Sequence, residues 1–481
     1  MLKKRSLIAV VLASMLMQPV TMANNILLPD IGTAAAATLS IGQEIEMGDY
    51  YVRILRGSAP INSDLLITDY INELGHKLVA NADSVQTPFN FFVMNSNVLN
   101  AFAFFGGNVV IHSRLILDTD NESQLASVMS HEIAHVTQRH LARSMEAQKQ
   151  NTPYVVGAAL GSILLGLANP ELGMSGLIST LAGSQQSSIS FTQSNEQEAD
   201  RVGIRTLTKA GFDPYAMADF LQKLADQSRF SSKPPEMLLT HPLPDSRLSD
   251  VRNRSNQLPH KNVASSLDYY LAKIRLAALG RNKNATTLIL DEYKKINNKQ
   301  TNIALLYGQA LSQYVSKNYS QAQKTLQTLL NEDPNNVWFV DLMTDIDLEL
   351  KDPSAAINRL LSALKAHPNS HVLQINLANA YLNNNDLQKA ASLLHRYTFS
   401  SPNDINGWDL LAQTYTKQHL RGEEMSARAE VSALQGDYRQ AITLLTNAQS
   451  YVKDNANQVA RFQARAKQLE DLQKRYAHYQ R

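Results

Sequence analysis

Prolines at 334, 368 and 402 recur every 34 residues, and no other feature constrains the fold of this chain as tightly. Ala322, Ala356 and Ala390 each stand twelve residues ahead of one of these prolines. Ala310, Ala378 and Ala412 hold a second fixed phase, with Thr344 at the position between the first two. Small residues at two fixed positions let a pair of helices pack closely, and proline cannot continue the second helix. Each pair buries its apolar face only against its neighbours, so the pattern predicts a stacked array of helix pairs. Ala441 falls 51 residues after Ala390, one and a half periods, so about one extra helix is expected before it.

This period and phasing are those of the tetratricopeptide repeat. Residues 263–481 are therefore read as an all-α solenoid whose concave surface docks proteins. The segment 1–23 reads as a secretory leader. A basic start, Met1 to Arg5, precedes a twelve-residue apolar run, Ser6 to Met17, and Thr21-Met22-Ala23 offers small residues for cleavage. The run is too short to span a bilayer, so the mature chain is expected to be exported without a transmembrane segment. Loss of the leader removes Lys3, Lys4 and Arg5 and leaves 42 bases against 43 acids. That balance gives no electrostatic footprint for nucleic acid. The chain has no cysteine, so disulfides, thiolate metal sites and cysteine nucleophiles are excluded.

Residues 24–262 mix periods. Leu65 to Leu78 carries apolar residues at helical spacing, while Phe89–Met94 and Val109–Ile111 read as short strands, the second following Gly106-Gly107. A helix is expected from Asn121, its N-cap with Gln124 as capping-box partner, to about Gln148. Residues 154–183, rich in Gly, Ala and Leu, read either as a buried helix pair or as a lid. Another helix is expected from Ser194 to Ala210, stopped by Gly211. Residues 228–262, rich in Pro, Ser and Asn, are read as the link between the two halves.

The chemistry concentrates in His131-Glu132-Ile133-Ala134-His135. Histidines four apart on a helix face one way and can chelate one Zn²⁺ per chain, while Glu132 reaches the attacking water without binding the metal. A catalytic zinc needs a third protein ligand. His140 is one residue off the extended zinc motif and is read as a surface residue on another face. Glu196 is the better candidate, with Asp200 one turn on, placed to fix a ligand imidazole. Glu198 points elsewhere on that helix. Pro242 biases His241 toward an extended loop conformation. A structural zinc site is disfavoured, because such sites usually fill all four positions with Cys and His.

The H-E-x-x-H motif, the later Glu196-Gln197-Glu198-Ala199-Asp200, Asn100-Ala101-Phe102-Ala103 with Gly106-Gly107, and the segment Thr240 to Arg247 together resemble the M48 family of gluzincin metallopeptidases. The resemblance implies an α+β, mostly helical protease domain with a small sheet over 24–262. It implies His131, His135 and Glu196 as zinc ligands and Glu132 as the catalytic base. It places His241 near the metal, either as oxyanion donor or as a fourth ligand that plugs the resting site. Arg247 would anchor that loop or the substrate carbonyl. An extended substrate would pair with an exposed edge strand at Gly106, Gly107, Asn108 and Val109. With a leader in front and repeats behind, the resemblance implies an endopeptidase of the Gram-negative periplasm. Its substrates would be unfolded or misassembled outer-membrane proteins, and its repeats would contact the outer-membrane β-barrel assembly machinery. The alternative is a repeat-based chaperone or adaptor whose self-inhibited protease site is secondary.

Overall fold

The computed structural model describes residues 39–149, 193–229, 235–280 and 283–480. The leader and the segment 154–183 lie outside the described residues. The chain is an α+β, mostly helical unit with one three-stranded sheet, followed by an all-α array of helix pairs.

The sheet holds β1 (Asn90–Met94), β2 (Ala101–Phe104) and β3 (Asn108–His112) in the order β1-β3-β2. β3 runs parallel to β1, with Phe91 opposite Val109, and antiparallel to β2, with Phe102 opposite Val110. All five β3 residues are buried, as a strand paired on both sides requires. This corrects the expected substrate edge: Asn108 and Val109 are central, and Gly106 and Gly107 form the β2–β3 turn at φ of +76° and +75°. A Cβ at Gly107 would lie 1.9 Å from the Pro88 carbonyl oxygen, so the close approach read from the glycines is real but belongs to the turn. The edge strand beside the H-E-x-x-H helix is β2, whose Ala103 and Phe104 line a small cavity with His135.

Helices α1 (Ile41–Ser58), α2 (Leu65–Val79) and α3 (Ser113–Asp118) surround the sheet, and α4 (Glu122–Thr137) carries the motif. Asn121 caps α4, accepting from the Gln124 amide at 3.0 Å. The Gln124 side chain reaches back to the Asp120 amide, so the reciprocal bond is shifted by one residue from the expected box. α4 also ends eleven residues earlier than expected. Arg139 adopts φ of +52° and a new helix, α5 (His140–Lys149), starts immediately after it. α6 (Gln193–Lys209) stops as expected at Gly211, with φ of +91° and the Phe212 amide donating to Leu207 O.

The described part of the segment read as a link belongs instead to the α+β unit. After α7 (Tyr215–Arg229), it forms α8 (Glu236–Thr240) and α9 (Asp245–Ser255), which bury Met237, Arg247, Leu248 and Val251. Two of its prolines, Pro235 and Pro244, are the N-caps of these helices.

In the array, α10 (Leu267–Leu279) and α11 (Lys283–Ile296) are followed by α12 (Lys299–Val315), α13 (Tyr319–Glu332), α14 (Val337–Glu349), α15 (Pro353–Ala366), α16 (His371–Asn383) and α17 (Leu387–Ser400). The phased alanines 310, 322, 356, 378, 390 and 412 are all fully buried, and each phased proline directly follows a helix C-cap. A further 34-residue period was not read from the sequence. Lys317, Lys351, Asn385 and His419 all take positive φ, ending the first helix of successive pairs. Gly436 repeats that conformation after only 17 residues, and Ala429 likewise follows Ala412 by 17. The extra helix is therefore real, among α18 (Ile405–Lys417), α19 (Arg421–Leu434) and α20 (Tyr438–Gln449), with α21 (Ala456–Tyr476) last.

The array meets the α+β unit at both ends. At its start, Glu122 accepts from the Ser266 amide at 2.9 Å and Tyr269 donates to Thr119 O at 2.7 Å. At its finish, Met47, Tyr51 and Leu55 of α1 share a core with Ala433, Tyr438, Leu445 and Phe462. Arg53 donates to Ala433 O at 2.9 Å, and Tyr476 donates to Asp49. Among the described residues no helix is long and apolar enough to cross a membrane.

Candidate metal centre

α4 presents His131 and His135 one turn apart, and their Nε2 atoms lie 2.9 Å from each other. α6 crosses α4 and brings Glu196 to the same point. Its carboxylate oxygens sit 3.3 Å from His131 Nε2 and 3.4 Å from His135 Nε2. The turn between α8 and α9 adds His241, whose Nδ1 is 3.1 Å from Glu196 Oε1. One donor atom from each of these four buried residues falls within 4.8 Å of every other. Three imidazoles and one carboxylate make a nitrogen/oxygen set suited to zinc. Both Glu132 oxygens are buried and accept no hydrogen bond among the described residues, and one lies 3.5 Å from His241 Nε2. A carboxylate buried without a donor is costly unless something else satisfies it, and a cation with its water would do so. The residues present therefore fit a divalent metal.

Neighbouring charges fix this group in place. Asp200 Oδ1 lies 2.9 Å from His131 Nδ1, which leaves Nε2 turned toward the other donors. Arg247, 2% exposed, clamps Asp200 through Nε at 2.6 Å and Nη2 at 2.9 Å. Its Nη1 is 2.7 Å from Glu196 and donates to Pro242 O at 3.1 Å. Of the two roles expected for Arg247, the bond to Pro242 O is the one that matches a loop anchor.

The electrostatics follow from burial set against partners. Burial pushes the Glu196 carboxyl up, but its electrostatic interaction with the adjacent His241 and a hydrogen bond from His131 outweigh it and hold it well below the usual range. Burial also opposes ionisation of Asp200, and the Arg247 guanidinium overcomes it, so its pKa is lowered. His131 is desolvated too, yet its bonds to Asp200 and Glu196 lift it to about 9. For His135 burial, joined by the neighbouring imidazoles and only partly opposed by Glu196, drives the pKa well below the ordinary imidazole value. In the metal-free chain, then, His131 carries the proton and a bound cation must displace it.

Sequence reasoning missed part of the support. His140 is fully buried rather than on the surface. The left-handed turn at Arg139 swings it beneath the site, where its Nδ1 lies 2.8 Å from His135 Nδ1 and its Nε2 3.2 Å from Glu198. Burial brings its pKa down to about 4. Glu198 points away from the donor group and also accepts from Arg143 at 2.8 Å. The turn itself is pinned from α1, where Glu44 accepts from Arg139 Nε at 2.8 Å. Nothing in the local sequence signals a left-handed arginine, so a continuous helix was the natural expectation.

A model of peptidase family M48 matches residues 66–255, and a tetratricopeptide-repeat model matches residues 347–414. The chain is 57% identical to the beta-barrel assembly-enhancing protease of Yersinia pestis, covering 95% of this chain and 94% of that one. It is 55% identical to the protein of the same name from Escherichia coli strain K12, covering 99% and 98%. The metalloprotease LoiP of Escherichia coli is 32% identical over 41% of this chain and 73% of its own. The matched family segment contains every residue of the donor group as well as Glu132, Asp200 and Arg247. With near-full-length identity above one half on both sides, the chain belongs to the metalloproteases of peptidase family M48.

Proposed function

We propose that this metalloprotease is a zinc endopeptidase of the Gram-negative periplasm that cleaves misassembled outer-membrane proteins and assists the assembly of others. The observation that carries the catalytic part is the convergence of His131, His135 and Glu196 donors beside the Glu132 carboxylate, which accepts no hydrogen bond among the described residues. A zinc ion held by those three residues would supply Lewis acidity toward water and the substrate carbonyl.

The chain's own residues do the rest. Glu132 takes a proton from the attacking water on a carboxylate oxygen and returns it to the leaving amine nitrogen. Asp200, clamped by Arg247, keeps His131 in the tautomer with Nε2 free. The extended substrate adds to the β2 edge, beside His135, in place of the β3 segment expected from sequence. His241 would serve as fourth donor in the resting protein, because it offers one of the four donor atoms that lie within 4.8 Å of one another. Hydrolysis then requires the α8–α9 turn to withdraw.

The assembly role rests on the near-full-length similarity to proteases named for β-barrel assembly, and on repeats suited to holding a partner chain. The repeats would engage the outer-membrane assembly machinery. The test is metal analysis of the mature protein beside casein digestion, each repeated with Glu132→Gln. About one zinc per chain in both proteins, with digestion lost only in the variant, is expected. Digestion by Glu132→Gln at the wild-type rate would refute the proposed base.

A further inference from the structure

His135 and His131 sit symmetrically in the H-E-x-x-H motif but are held by different chemistry. His131 turns its Nδ1 to a carboxylate, Asp200, at 2.9 Å. His135 turns its Nδ1 to another imidazole, His140, at 2.8 Å. His140 in turn faces Glu198 at 3.2 Å, and Arg143 donates to the same Glu198 oxygen at 2.8 Å. Both imidazoles are at least 95% buried, so these contacts are not water bridges formed on an open surface.

Only one arrangement of protons satisfies this chain when His135 Nε2 is needed as a metal donor. His135 must then carry its proton on Nδ1 and donate it to His140 Nδ1. That makes His140 Nδ1 an acceptor, so His140 must carry its own proton on Nε2. This proton goes to Glu198, whose charge Arg143 compensates. Each neutral imidazole donates on one side and accepts on the other. Reversing the His135–His140 bond would put the His135 proton on Nε2 and remove its lone pair from the donor group.

We infer that His140, oriented by Glu198 and Arg143, is the positioning residue for His135: it sets the His135 tautomer and ring angle, and so the metal affinity of the site. The inference rests on His135 being a metal ligand, as proposed above. It assigns three residues a role that the motif alone does not contain, and it explains the break in the helix after Thr137. A continuous helix would place residue 140 on a different face from His135, because five residues correspond to 500° of helical turn, or 140° net. The left-handed Arg139, held by Glu44, is what returns His140 to the site.

The geometry also dictates which substitutions separate hydrogen bonding from packing. His140→Phe fills the space but offers no acceptor. His140→Asn places its amide oxygen near the Nδ1 position, so it keeps an acceptor for His135 while losing Glu198. Glu198→Ala acts from a partly exposed position, at 28% side-chain exposure, and carries little folding risk.

The experiment uses the full chain stripped of metal, with zinc affinity read by competition against a chelator and the site geometry read from the absorption spectrum of the Co²⁺ form. His140→Phe should weaken zinc binding by roughly 10- to 100-fold, the usual cost of removing an outer partner of a ligand. It should also shift the Co²⁺ bands. His140→Asn should recover most of the affinity, and Glu198→Ala should lose several-fold. Wild-type affinity with an unshifted Co²⁺ spectrum in His140→Phe would overturn the inference, as would equal losses in His140→Phe and His140→Asn, which would mean packing alone. Should His140→Phe fail to fold, unchanged affinity in Glu198→Ala would overturn it instead. His135→Ala separates this from the underlying assignment: retained zinc there would refute His135 as a ligand, whereas lost zinc there with intact His140 variants would refute only the positioning role.

Discussion

Replacing Arg247 with Met keeps an unbranched apolar stem in its buried channel and removes only the guanidinium. The consequence can be worked from the contacts. Asp200 loses two hydrogen bonds, of 2.6 and 2.9 Å, and Glu196 loses a cation at 2.7 Å. Both carboxylates are at most 1% exposed, so water cannot take over. Removing one partner of a buried ion pair costs about 3–5 kcal/mol, since the remaining charge stays buried. At ~1.4 kcal/mol per factor of ten, the amides of α6 and α9 should exchange with solvent roughly 10²- to several 10³-fold faster in metal-free Arg247→Met. Zinc should reduce that effect by about half, because a cation at Glu196 compensates one of the two orphaned carboxylates. The Nη1 bond to Pro242 O is lost as well, so exchange in the 240–245 turn should rise in both forms. Hydrogen exchange followed by mass spectrometry, with and without zinc, reads all three segments. The two tryptophans, Trp338 and Trp408, lie in the repeats and would not report on this region. Exchange of α6 and α9 within about threefold of wild type in the metal-free variant would refute the clamp.

His241→Ala should raise casein digestion and expose the chain to self-cleavage, because the substitution removes a fourth donor 3.1 Å from Glu196; a fall in activity would favour the oxyanion role instead. The metal-free fold should also be pH-sensitive through His131. Its folded pKa, about 9, lies above the ordinary 6.5, so its stabilisation is complete below about 6.5 and is lost as pH rises through about 9. Urea titrations of metal-free protein between those values should show a loss of up to a few kcal/mol. Asp200→Asn, which removes the main hydrogen-bond partner, should flatten that dependence, and an equally steep profile in the variant would exclude His131 as its source.

The sequence alone determined the features that depend on local spacing. Proline and alanine at fixed phases of 34 imposed the helix pairs, because small residues and helix ends act wherever they occur in a stack. The i,i+4 histidines, and Glu196 with Asp200, were legible for the same reason: helical geometry turns spacing into a shared face. The even repeat of left-handed residues at 317, 351, 385 and 419 escaped notice because lysine, asparagine and histidine carry no common turn signal. Only the tertiary structure decided what depends on how the chain returns on itself. The glycine pair announced a close approach but not its partner, so Gly106 to Val109 looked like an edge until β1 and β2 flanked it. Polar composition made 228–262 resemble a link, yet within it Met237, His241, Arg247, Leu248 and Val251 are buried. His140 was misjudged because one residue, Arg139, reverses its hand under the pull of Glu44 from α1, 95 positions away. Helical spacing assumes the helix continues, and here a distant charge decides that it does not.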